Sequence, residues 1–171
     1  MPILPRERDP RLITIRRGGT LTDEDHRLLA VWAIECAEHV LPLFERVEPD
    51  DRRPQEALAV ARAWIAGDAP MTAAHNAAFL ANAAAKGKAD PAKFAALSAG
   101  QATAVAHVAA HDLGAAAYAI RALMAADPAD RDAVRLRERD WQRSRVPSSL
   151  QSLVIEDQRA RNDICWNVFA D

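Results

Sequence analysis

Apolar residues recur along most of the chain at spacings of three and four, the period of a helix with one buried face. In "TLTDEDHRLLAVWAIECAEHVLPLFERV" the stripe is Leu28, Leu29, Trp32, Ala33, Cys36 and Val40. Thr22 is the expected N-cap, and Asp23, Glu24 and Asp25 suit the positive end of the helix dipole. Pro42 predicts an end or kink near Leu41, because its ring removes a backbone donor and crowds the preceding turn. "PQEALAVARAWIAG" reads as a second helix, with Pro54 in its first turn and Gly67 as C-terminal cap. Its buried stripe is Ala57, Leu58, Ala61, Trp64 and Ile65.

A third helix is predicted over "APMTAAHNAAFLANAAAKG", opened at Pro70 or Thr72 and ended near Gly87. The pattern beginning at Asp90-Pro91 would run ~50 Å if unbroken, so a kink or break is expected near Asp112–Gly114. "DPADRDAVRLRERDWQRSRV" is a further helix stopped before Pro147, and "SSLQSLVIEDQRARNDICWNVF" holds at least one more. "LITIRR", ahead of Gly18-Gly19, is the one strand-like stretch, read as a short edge strand or an extended arm. The predicted fold class is all-α, a compact multi-helix bundle or short helical solenoid of five to eight helices. Residues 1–20 form an extended N-terminal arm and residues 21–171 a single all-helical domain on this reading.

Composition strengthens the helical reading. Half of the 171 residues are hydrophobic but only 5% aromatic, so Ala, Leu and Val must build the core, and alanine loses least on entering a helix. A net charge of −2 and a pI near 6.2 give no general attraction to nucleic acid or acidic lipid. Cys36 and Cys165 are too few for a disulfide framework and read as reduced thiols. "MPILPRERDP" has no apolar core of a secretory signal, and no stretch approaches the ~20 apolar residues of a membrane span. These features predict a soluble cytoplasmic protein that binds neither nucleic acid nor membrane.

Histidine is the residue type that could add chemistry. In "AVAHVAAHDLGAAAYA" His107 and His111 stand at i and i+4, a spacing that puts both on one face of a continuous helix. With His39 or His75 they make a candidate metal set for a metal-dependent helical-bundle enzyme. "VAA" between them lacks the glutamate general base of the HExxH pattern. The other reading is packing: Gly100, Thr103, His107, Ala110 and Gly114 form a small-residue side that lets another helix approach. Each histidine then needs a hydrogen-bond partner, with Tyr118, Thr103, Gln101 and Glu35 as candidates. His39, one turn after Glu35, is expected to pair with it. His26 is expected to be solvated, and His75 buried or half-buried. Arg135, Arg139 and Arg143 form a stripe that reads as a solvated face or as a site for phosphate or an acidic protein surface.

"RRGGTLT", "LLAVWAIECAEHVLPLFE", "RPQEALAVARAWIAG", "ATAVAHVAAHDLGAAAYAIRA", "ERDWQ" and "RNDICWNVF" together resemble the putative immunity protein family of bacteria. The resemblance runs from about residue 13 to the C-terminus. It implies a small all-helical protein, associated with polymorphic toxin systems, that binds and neutralises a cognate toxin protein made by the same cell. It brings no catalytic residues and no cofactor. The motif residues Trp32, Cys36, His39, Trp64, His107, His111, Tyr118, Trp141 and Trp166 are then expected to serve the scaffold, leaving exposed positions to fit the toxin.

Overall fold

Thr22 accepts a hydrogen bond from the Asp25 backbone N–H at 3.0 Å. The helix it caps, α1, spans Asp23–Glu45 in the computed structural model, which describes residues 3–171. Met1 and Pro2, the first two residues of the expected arm, lie outside the described residues. Pro42 sits inside α1 rather than ending it. In the last turn its missing donor costs one bond, and its own carbonyl still accepts from the Arg46 N–H at 3.1 Å.

Helix α2 spans Arg53–Ala66, with Pro54 in its first turn and Gly67 in the left-handed conformation (φ 85°) that closes it. Helix α3 spans Met71–Ala84. Helix α4 (Ala92–Ala104) and helix α5 (Asp112–Ala126) divide the long predicted pattern. The break precedes Asp112–Gly114: the helix is lost at Val105, Val108 is extended, and Ala109–His111 make a 3₁₀ turn. A long-range bond accompanies it, because the His26 Nε2–H donates to the Val105 carbonyl at 2.6 Å. Helix α6 (Arg131–Arg145) ends before Pro147, and α7 (Gln151–Ala160) follows a 3₁₀ turn.

No strand forms among the described residues. Thr14 and Leu21 make one isolated parallel bridge, while Ile15–Arg17 curl into a 3₁₀ turn closed by Gly18 at φ 86°. "LITIRR" is β-branched enough to extend but has no long partner segment to pair with.

The seven helices form a bundle. Helix α4 packs on α1, α2, α3 and α5, and α5 also packs on α1 and α6. A solenoid would contact only its neighbours in sequence. Alanine makes this possible: Ala95, Ala96, Ala99 and Ala102 on α4 and Ala115, Ala116, Ala117 and Ala119 on α5 are buried. Side chains this small let helix axes approach closely around the larger Trp32, Phe44, Leu113 and Ile120. None of the described helices is long and apolar enough to cross a membrane.

Candidate functional site

The break between α4 and α5 decides the fate of the two histidines. His107 falls in the turn, His111 at the end of the 3₁₀ segment, and they share no continuous helical face. The His111 Nδ1–H donates to the Gln101 side-chain oxygen at 2.7 Å, with its ring largely buried. Burial first, then the charges of His107 and Arg161, pull its pKa down to about 4. His107 is half-buried and turns the other way. Its Nδ1 lies 3.4 Å from the Met71 sulfur, and its ring centroid is 4.7 Å from that of His75 on α3.

His39 pairs with neither of them, nor with Glu35. Its Nδ1 is 3.0 Å from a carboxylate oxygen of Glu138 on α6, a residue only 3% exposed. Its ring also lies on Trp141, with centroids 4.0 Å apart. Glu35 instead faces Arg145 at 3.5 Å. The set His107, His111 and His39 or His75 is therefore not assembled. Among the described residues no three of His, Cys, Asp or Glu are grouped to hold a metal ion. A turn displaced by a few residues is sufficient to separate ligands that a continuous helix would have aligned.

Glu138 also accepts from the Gln142 side-chain amide at 2.9 Å, which in turn reaches the Ala116 carbonyl at 3.2 Å. The Trp32 indole N–H donates to the Gln142 carbonyl at 2.9 Å. These bonds make a polar seam joining α1, α5 and α6. Cys36 is fully buried nearby, and burial raises its thiol well above the ordinary range. Burial likewise pushes Cys165 up to about 12, so neither thiol supplies a nucleophile at neutral pH. Tyr118 and Trp166 flank Arg121, whose guanidinium lies 4.0 Å from the Phe94 ring centre and 4.1 Å from that of Trp166.

The arginine stripe of α6 is neither a solvated face nor a free anion site. It clasps the C-terminal residues. Arg135 donates to the Ala170 carbonyl at 2.6 Å, and Arg139 donates to the same oxygen. Arg143 reaches the Phe169 carbonyl at 3.1 Å and the Asp171 carboxylate at 2.9 Å. Backbone carbonyls carry no sequence signal, so these partners were not legible in residue types. A second hidden cluster joins α5 to α7. Arg161 pairs with Asp157, meets Asp112 at 3.4 Å and donates to the Ala110 carbonyl at 2.8 Å. All three charged groups are buried, and burial lifts Asp112 to about 7.

A cleft of about 400 Å³ opens between the N-terminal segment, the start of α1, the α2–α3 connection and the α4–α5 turn. Its lining is basic: Arg8, Arg16 and Arg17 from the segment, and Arg27 from α1. Trp64, Met71 and Val108 supply apolar surface, and His107 and His26 stand in the wall. Asp23 is the acidic residue in the lining, and it is paired with Arg16. Arg8, Arg17 and Arg27 form no ion pair among the described residues. His26 was expected in water but is only 6% exposed, packed on Trp64 at a centroid distance of 5.0 Å. Burial first holds its pKa below the usual range, with Arg17 and Arg27 adding repulsion. Four arginines, two histidines and a tryptophan thus line the cleft, with Arg16 held by Asp23 and Arg17 donating to the His107 carbonyl at 3.4 Å.

A family model described as Imm-5 like putative immunity protein matches residues 19–149. The match takes in α1 to α6 and the α1–α5 side of the cleft, whereas Arg8, Arg16 and Arg17 lie outside it. No curated protein and no solved structure matches the chain.

Proposed function

The chain belongs to the Imm-5 like putative immunity protein family, and on that premise we propose that it neutralises a cognate bacterial toxin by binding it directly. The observation that carries this reading is the family match across residues 19–149, which takes in six of the seven helices of the described residues. The geometry supports it from a second direction. Among the described residues only His75 and His107 of the candidate metal histidines pack together and no group of three metal-ligating side chains forms, both thiols are buried, and Arg135 and Arg143 of α6 are bonded to Ala170 and Phe169. The accessible site that remains is built to hold a partner's charge. An inhibitor needs only a rigid surface complementary to the toxin, and an alanine-packed bundle supplies the rigidity.

The test is co-expression with candidate toxin domains from the genome that encodes this chain, in cells that each domain kills. Survival that depends on this chain supports the proposal, as does co-purification of the two as one complex. Unchanged killing at full expression contradicts it.

A further inference from the structure

We infer that the cleft between the N-terminal segment and the α4–α5 turn is the docking site for an acidic segment of a partner protein, seated by paired carboxylates over an apolar floor. The inference rests on the binding role proposed above and names the surface and the chemistry.

Three observations carry it. The first is unbalanced charge. The chain as a whole carries −2, yet Arg8, Arg17 and Arg27 converge on one cavity without a carboxylate, while Asp23 is already held by Arg16. Among the described residues other arginines are held by carboxylates, Arg62 by Glu38, Arg53 by Asp51 and Arg161 by Asp157, whereas Arg17 meets only the His107 carbonyl, at 3.4 Å. Guanidinium groups that lack a carboxylate in a concave site bind carboxylates as bidentate forks.

The second is exposed apolar surface. Ile15, 61% exposed, sits between the lining residues Thr14 and Arg16. Phe79, 62% exposed, packs edge-on against His75, which in turn meets His107 in the cleft wall. A continuous run from Phe79 through His75 and His107 to Met71 therefore leads into the basic site. Aromatic and Met surface beside arginine is the composition of protein-binding patches.

The third is the positive field at the wall. After burial, His75, Arg17 and Arg8 are what hold His107 below its usual pKa. A partner carboxylate would relieve that repulsion.

A nucleic acid fits less well. Asp23, Glu24 and Asp25 begin α1 at the cleft's edge, and a phosphate backbone needs an extended basic track rather than one enclosed site. A short acidic loop in the cleft meets one of them, Asp23, whose charge Arg16 already offsets.

The experiment titrates blocked tetraglutamate into the isotope-labelled full chain and follows amide shifts, at low and at high salt. The expected shifts fall in residues 13–17, 26–27, 64–71 and 105–109, with binding weakened by about fivefold or more in high salt. Arg17→Glu/Arg27→Glu, with helical content and melting temperature unchanged, abolishes them; Arg8→Glu/Arg27→Glu serves if the first pair fails to fold. Shifts elsewhere, no shifts, equal binding by the folded variant, or tighter binding of an oligothymidylate would each overturn the inference. Protection assays separate the two levels. A folded cleft variant that still protects cells overturns the docking site and leaves the binding role standing. Failure of the unaltered chain to protect overturns the binding role itself.

Discussion

The imidazoles of His75 and His107, on α3 and in the α4–α5 turn, lie with ring centroids 4.7 Å apart at the mouth of the basic cleft. Protonating His107 therefore places a charge beside His75, Arg17 and Arg8 in a partly desolvated wall. His75→Ala and Arg17→Glu should each raise the His107 pKa, and a bound acidic peptide should raise it further. Proton NMR titration of the His107 ring measures all three. A pKa unmoved by Arg17→Glu would mean that the arginine does not act on this wall. Because His107 is neutral near pH 7, acidic ligands should bind more tightly as the pH falls through its titration.

His111 makes folding stability pH-dependent in a known direction. Its folded pKa of about 4 lies below the unfolded value of 6.5, so between these limits the unfolded chain binds more protons. Stability then rises with pH across that window, and His111 contributes on the order of 3 kcal/mol that is lost as pH falls from 6.5 to 4. Asp112 has the opposite sign. Raised to about 7, it favours the fold below its unfolded pKa and loses that contribution as pH rises through 7. Relative to the unaltered chain, His111→Asn should flatten the rise of stability with pH, and Asp112→Asn should steepen it. Denaturant melts from pH 4 to 7 distinguish the two.

Local signals carried much of the fold. Thr22, Pro54 and Gly67 set helix boundaries through partners within a few residues, and such chemistry is readable from a single stretch. Long-range partners were not. Glu138 rather than Glu35 takes His39 because α6 lies against α1 there, and no spacing rule couples those positions. The break before Asp112 moved for the same reason: His26, from another helix, takes the Val105 carbonyl. The cleft was invisible because its four arginines come from two separate elements, while the conspicuous stripe on α6 serves the chain's own end.

Arg161 is only 3% exposed and holds two buried carboxylates. Arg161→Met leaves both without their cation, at a cost of about 3–5 kcal/mol. That corresponds to a fall in melting temperature of roughly 6–20 °C for a chain of this size. Asp112→Asn keeps an acceptor for the Leu113 N–H and should cost far less. Equal effects of the two substitutions in thermal melts would contradict the assigned pairing.

The C-terminal clasp combines burial with charge. Phe169 is 3% exposed, and Phe169→Ala should destabilise by about 3–5 kcal/mol. Asp171 is exposed although it meets Arg139 and Arg143, so solvent screens the pair and Asp171→Asn should change stability far less than Phe169→Ala. Chemical denaturation compares them directly. A larger loss for the exposed carboxylate would show that charge, not apolar burial, fastens the tail.

The central claim is that this chain acts by occupying a toxin. The decisive measurement is calorimetric titration of the purified chain with the toxin domain identified in the co-expression test, the Arg17→Glu/Arg27→Glu variant being run in parallel. A one-to-one complex of about nanomolar affinity is expected, weakened at least tenfold in the variant. Absence of heat and of any complex at micromolar concentrations of both proteins would contradict it.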